Sequence, residues 1–262
     1  MQRHAHPSIL PAGRQRKVMD VLRSEGAVTV ESLVSLLGVS ESTVRRDLEQ
    51  LSERGFLSRT HGGAVLPSFS TAFEDTYIDK AKVFVEEKIR IGAWAASYVA
   101  DGDTLILDAG STTFEIARKL SKHRRLTVLT YDLAIASCSE YHPSTSVFLA
   151  GGNIRRNFNE TLGADTEDFF RNVRVNKAFL GADAVDLQEG VFNANIAERT
   201  VKQLVIRAAQ EVVLVADHSK FGKNALIKIC DFTEIDKIVT DRGLAPEVSR
   251  ELGRQGIFFE TV

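Results

Sequence analysis

The chain has 262 residues, enough for one large α/β domain or a small domain joined to a medium one. With 44% hydrophobic and 26% charged residues and a net charge of −2, its composition is that of an ordinary globular protein. Apolar runs such as EVVLVAD are far too short to span a bilayer, so a membrane-spanning chain is excluded.

The N-terminus MQRHAHPSILPAGRQ lacks an apolar core of signal-peptide length, so a cytoplasmic protein is expected, with residues 1–13 as a disordered arm. Three helical patterns follow. RQRKVMDVLRSEG sets Val18, Val21 and Leu22 on one face and stops at Gly26. VTVESLVSLLGV carries Leu33, Val34, Leu36 and Leu37 and turns at Gly38. A third helix runs from Ser40, a good N-cap, to Gly55, a good stop. FLSRTHGGAVL then alternates loosely around Gly62 and Gly63 and predicts a hairpin. Helix, helix, turn, helix and hairpin over residues 14–66 is the layout of a winged helix-turn-helix. Residues 67–78 break the periodicity and read as a linker.

From residue 79 onward, apolar runs alternate with amphipathic segments. TLILDA, LTVLTY, SVFLAG, KAFLGAD, EVVLVAD and KIVTD read as strands; RIGAWAASYV, FEIARKL and IAERTVKQLVIRAA read as helices. That order predicts an α/β domain with a mostly parallel sheet covered on both faces. Cys138 and Cys230 lack metal-ligand spacing and are expected to be reduced thiols, with no metal and no cofactor. Charge divides unevenly. Residues 1–66 hold nine Lys and Arg against seven Asp and Glu, the remainder 24 against 28, so a polyanionic partner is expected at the front end.

On the third helix Val44, Leu48 and Leu51 form the inward stripe, leaving Ser42, Thr43, Arg45, Arg46, Glu49 and Gln50 outward. Small hydroxyls and arginines in the first turns suit phosphates and guanine edges in a major groove. On the competing reading Arg45 and Arg46 only solvate a surface helix, with Asp47 and Glu49 as local partners. Arg59 and His61, flanking the hairpin, are placed to touch backbone phosphate.

A second site is expected at LILDAGSTTFEIARKL. Gly110 after a parallel strand lets a ligand approach the backbone, and the amides and hydroxyls of Ser111, Thr112 and Thr113 open a helix whose dipole favours an anion. Asp108 is placed to accept from a sugar hydroxyl or to orient the loop. No lysine and hydroxyl follow a phosphate loop, so nucleotide hydrolysis is not indicated. Other strand ends converge on the same rim: Tyr131 and Asp132, Gly151 and Gly152, Asp183 and Asp186, and Asp217 with Ser219, Lys220 and Phe221.

The stretch SESTVRRDLEQLSERGFLSRTHGGAV closely resembles the DNA-binding signature of DeoR-type bacterial transcriptional regulators. The resemblance implies that Arg45 and Arg46, followed by Ser42 and Thr43, contact double-stranded operator DNA. The second half resembles the same family's effector domain, through DAGST, GADAVD, AERTVK and DHSKFG, and adds Glu198 and Lys202 to the site. It implies a sugar-phosphate-isomerase-like fold and a repressor that senses a phosphorylated sugar, acting as a homodimer or homotetramer. One departure is TYDL, where many members have Thr-Asn-Ser/Asp-Leu, which puts specificity near Tyr131 in question.

An enzyme is the rival expectation, since GADAVD followed by Glu198 also resembles ribose-5-phosphate isomerases. Those enzymes carry a lysine and a glycine run after the aspartates; LQEGVFNANIAERT has neither, which favours binding without turnover.

Overall fold

The computed structural model describes residues 11–53, 56–65 and 74–262, and the chain divides into two compact units between Ser70 and Thr71. In the first unit α1 spans Pro11–Glu25, β1 Ala27–Thr29, α2 Val30–Leu37, α3 Glu41–Glu53, β2 Ser58–Arg59 and β3 Gly63–Val65. Helix α1 thus starts inside the stretch expected as an arm, because proline's fixed φ and missing N–H suit a first helical position. Residues 1–10, the expected stop at Gly55 and most of the expected linker lie outside the described residues.

Val18 and Leu22 of α1, Leu33 and Leu37 of α2, and Val44, Leu48 and Leu51 of α3 close one core over Val28, Leu57 and Ala64. Leu36, expected among the helix's apolar residues, is instead 55% exposed. The hairpin is wider than expected: β1, β3 and β2 form a three-stranded antiparallel sheet in that order. Strand β1 was hidden because Ala27–Thr29 runs straight into α2, with the Thr29 hydroxyl capping the Ser32 amide at 3.1 Å. Gly63 makes the closure possible, since a Cβ there would lie 1.9 Å from the Val28 carbonyl oxygen.

The second unit begins with α4 (Tyr77–Lys82), which takes up the end of the expected linker, and α5 (Val85–Ser97). Next come β4 (Thr104–Leu107), α6 (Ser111–Ala117), β5 (Thr127–Thr130), α7 (Leu133–Ala136), β6 (Ser146–Leu149), β7 (Asn153–Arg155) and β8 (Glu160–Leu162). The chain continues with α8 (Ala164–Arg171), β9 (Val175–Leu180), β10 (Ala184–Asp186), β11 (Gly190–Asn193), α9 (Glu198–Ala208) and β12 (Ala209–Val215). It finishes with β13 (Ile227–Cys230), β14 (Lys237–Thr240), α10 (Pro246–Arg254) and β15 (Phe259–Thr261).

Seven of these strands form one sheet in the order β15-β14-β12-β9-β4-β5-β6, and every pairing in it is parallel. Both faces of its central strands are covered, which is why those strands read as continuous apolar runs, while the edge strand β6 leaves Phe148 and Leu149 exposed. Alternation sends Leu105 and Leu107 toward Ile91, Ala95 and Ile116 on α5 and α6, while Ile106 meets Val201 and Val205 of α9 on the other face. The strand order reverses between β4 and β9. A crevice opens beyond the carboxyl ends of strands at such a reversal, and this placement fixes the site.

Candidate functional site

Asp108 follows β4 and Gly181 follows β9, and the two are joined where the order reverses: the Gly181 N–H donates to Asp108 Oδ2 at 2.7 Å. The Lys202 ammonium, from α9, donates to the same oxygen and at 3.1 Å to the Gly181 carbonyl. The Tyr131 hydroxyl, at the end of β5, donates to Asp108 Oδ1. All three side chains are essentially sealed from solvent. Burial opposes the lysine's charge, but Asp108 and Glu198 outweigh it and raise the Lys202 pKa. This knot is the floor of a cavity of about 630 Å³, counted out to open solvent.

One wall of the cavity is Gly110 with the first turn of α6, Ser111–Thr113. Gly110 sits at φ 149°, a region a side chain avoids, and its N–H donates to Asp132 Oδ2 at 3.0 Å. Asp132 also accepts the Ala134 and Ile135 amides at 2.7 and 3.0 Å, so it caps α7 and braces the loop at once. Its burial raises its pKa to about 6 against these amides.

The opposing chemistry is ionic. Asp183 accepts from Lys80 Nζ at 2.7 Å and from the Ala194 amide at 3.0 Å. Burial alone would raise the Asp183 pKa, but Lys80 and Lys220 hold it well below the usual carboxylate range. Arg155 donates to Glu74 at 2.7 Å, to Glu198 at 3.1 Å and to Glu160. Burial raises the Glu160 pKa to about 7 and raises Glu198 as well, each pressed further by its acidic neighbours. Asn193 Nδ2 donates to Glu198 at 2.5 Å, while Asn193 Oδ1 is buried with no hydrogen-bond partner among the described residues. Lys88 is buried beside Asp217, at 4.0 Å, and burial together with Lys220 and Lys80 lowers its pKa to about 8.

The cavity brings together Gly110, Ser111, Thr112, Thr113, Asp183, Glu198, Lys202 and Lys220 of the residues expected from sequence. Asp108 lies beneath the lining. Tyr131 is not on the rim: it is wholly buried, edge-on to Phe170 at 5.8 Å, and meets the site through Asp108. Asp217 caps the turn that carries Lys220, accepting from the Ser219 N–H at 3.0 Å. Gly151 and Gly152 do not line the cavity. The Gly151 carbonyl accepts from the Thr166 hydroxyl at 2.6 Å, and a Cβ on Gly152 would lie 2.4 Å from that hydroxyl.

Glu74, Tyr77, Lys80, Lys88, Phe158, Glu160 and Asn193 also line the cavity, and sequence reasoning missed them. Two left a signal. Lys88 stands on the buried stripe of α5 with Ile91 and Ala95, and Glu160 opens a strand buried at all three positions.

In the first unit Ser42, Arg45, Arg46, Arg59 and His61 are exposed and Thr43 is half-buried. Arg45 donates to Glu41 at 2.6 Å across one helical turn, both side chains exposed. Asp47 does not serve the arginines. It is buried and binds Arg14 of α1, accepting from Nε at 2.5 Å and Nη2 at 3.0 Å, so it locks α3 onto α1.

A DeoR-like helix-turn-helix domain matches residues 14–69, and the DeoR C terminal sensor domain matches residues 83–242. The chain belongs to the DeoR family. Among DeoR-family relatives, the HTH-type transcriptional regulator GlpR of Haloferax volcanii is 36% identical over 251 residues, 95% of this chain and 97% of that one. The glycerol-3-phosphate regulon repressor of Escherichia coli K12 is 32% identical, covering 87% of this chain and 90% of that protein. IolR of Bacillus subtilis is 30% identical over 90% of this chain and 94% of that one. These relatives are transcriptional regulators rather than enzymes. Ribose 5-phosphate isomerase A of Methanocaldococcus jannaschii overlaps at 21% identity and a TM-score of 0.38, covering 52% of this chain and 54% of that one. Among the described residues no group of acidic, His or Cys side chains could hold a metal ion, and no helix is long and apolar enough to cross a membrane.

Proposed function

We propose that this DeoR-family regulator represses a carbohydrate operon and that its cavity binds a phosphorylated sugar as effector. The observation that carries the reading is the division of labour inside one cavity. The Lys220 ammonium makes no hydrogen bond or close ion pair among the described residues, feels Asp183 only at longer range, and stands with Lys88 and the Ser111–Thr113 hydroxyls to hold a phosphate. The unpartnered Asn193 Oδ1, with Glu198 and Glu160, supplies acceptors for sugar hydroxyls. A relative that is a glycerol-3-phosphate regulon repressor supports a small phosphorylated ligand.

Operator DNA is read by α3. Arg46 has no side-chain partner among the described residues, and the exposed pair of Arg45 with Glu41 is worth about 0–1 kcal/mol, so exchanging it for DNA costs little. Arg59 and His61 reach backbone phosphate from the wing. One such helix reads too few bases for useful selectivity, so the working form is a dimer or tetramer on paired half-sites.

The test uses a duplex selected by the wild-type chain from a random library, and a thermal-shift panel of triose, pentose and hexose phosphates with inorganic phosphate as control. A panel sugar raises the melting temperature and changes duplex affinity. Ser111→Ala with Lys220→Ala abolishes the shift and spares DNA binding. Arg45→Ala weakens the duplex complex about tenfold, within the 1–3 kcal/mol of a good base contact, and spares the shift. A wild-type chain indifferent to the whole panel refutes the effector assignment.

A further inference from the structure

Glu74 is held by two cations. Its carboxylate accepts from Arg155 Nη2 at 2.7 Å and from Lys80 Nζ at 3.4 Å. Both cations are shared with the pocket: Lys80 also binds Asp183 at 2.7 Å, and Arg155 also binds Glu160 and Glu198. The segment that follows is fastened along its length. The Tyr77 N–H donates to the Asn157 carbonyl at 2.9 Å, and Lys88 Nζ donates to the carbonyls of Lys80 and Val83 at 2.5 and 2.6 Å. Between α4 and α5, Phe84 adopts φ 52°, a conformation bulky residues seldom keep unless their surroundings hold them there. Its ring packs edge-on to His218 at 4.8 Å, in the turn that carries Lys220.

We propose that Glu74 is a positioning residue that couples the effector cavity to the DNA-reading unit, through the two cations it shares with the cavity. A phosphate arriving at Lys88 and Lys220, in the cavity that Lys80 also lines, and hydroxyls arriving at Glu160 and Glu198, compete for the groups that hold Glu74. Once those contacts are redistributed, the front of the segment is released. The chain leads from there directly into the first unit, the division lying just upstream between Ser70 and Thr71. A ligand moves an equilibrium only through contacts that differ between two states, and the Glu74 ion pairs supply such a difference. The trigger rests on the phosphosugar reading; the coupling itself does not.

The experiment therefore uses the full chain without ligand. Wild type, Glu74→Gln, Glu74→Asp and Lys82→Gln are compared for affinity to the library-selected duplex by fluorescence anisotropy, and for hydrogen exchange over residues 74–83. Glu74→Gln keeps the shape and removes the charge. It speeds exchange in the segment and changes duplex affinity at least about fivefold, the lower end of ordinary allosteric couplings. Glu74→Asp restores most of both, and Lys82→Gln, at an exposed position of α4, alters neither. Faster exchange with unchanged affinity overturns the coupling, and so does unchanged exchange. If Glu74→Gln does not fold, Lys80→Gln removes one of the two cations and is judged by the same outcomes. A failed sugar panel would overturn the pocket reading and leave this comparison intact.

Discussion

Removing the lysine from the cavity floor tests whether the Asp108–Lys202 pair holds the sensor unit together. Both side chains are at most 2% exposed, so Lys202→Met leaves a carboxylate in a dry site with the Gly181 amide and the Tyr131 hydroxyl as its remaining hydrogen-bond partners among the described residues. Breaking a buried ion pair from one side costs about 3–5 kcal/mol. The two surviving donors put the expected loss near the lower end, about 3 kcal/mol. At about 2–4 °C per kcal/mol for a unit of this size, the melting temperature falls by roughly 6–12 °C. Trp94, the single tryptophan, stacks on Tyr98 at 5.1 Å within the second unit, so urea unfolding followed by its fluorescence reports that unit alone. Pairing Lys202→Met with Asp108→Asn removes both charges, and the double variant recovers most of the loss. A single-variant cost below about 1 kcal/mol, or a double variant as damaged as the sum of the singles, refutes the argument.

Two further outcomes are expected. Burial holds Glu160 at about 7 and Asp132 at about 6, so between pH about 4.5 and about 7 the folded unit keeps protons that the unfolded chain has released. Stability of the second unit therefore falls as pH rises through that window, and Glu160→Gln flattens the slope in urea midpoints followed by Trp94. The depressed Asp183 acts in the opposite sense, its contribution being lost only as pH falls below the ordinary aspartate range. In the first unit, Gly63→Ala forces a methyl group into the Val28 carbonyl and costs about 1–3 kcal/mol or more, read as loss of duplex binding with Trp94-monitored unfolding unchanged.

Six of the seven strands of the main sheet are legible as apolar runs; five are buried along most of their length, and the edge strand β6 keeps its apolar residues although Phe148 and Leu149 are exposed. β15 is not legible, since Phe259–Thr261 is short and carries Glu260 at the sheet's edge. The hairpin strands β7 and β8 and the small sheet β10-β11-β13 escape for a similar reason: runs of three or four residues carry too little periodicity. The Gly110 loop was legible because its chemistry is contiguous. Lys80 and Glu74 were not. Their partners Asp183 and Arg155 lie 103 and 81 residues away, and Glu74 falls in the stretch whose broken periodicity reads as a linker. Tyr131 shows the converse: it follows a strand like the other rim residues, yet its ring turned into the core.

The knot beneath the cavity also orders events on the ribosome. Asp108 waits 94 residues for Lys202, and β4 finds its neighbour β9 only after β5 and β6 have been made. Contacts so distant in the chain form late and slowly, whereas the helices and wing of residues 11–65 close on near neighbours. A nascent chain thus completes its helix-turn-helix unit before it can close the floor of its sensor cavity.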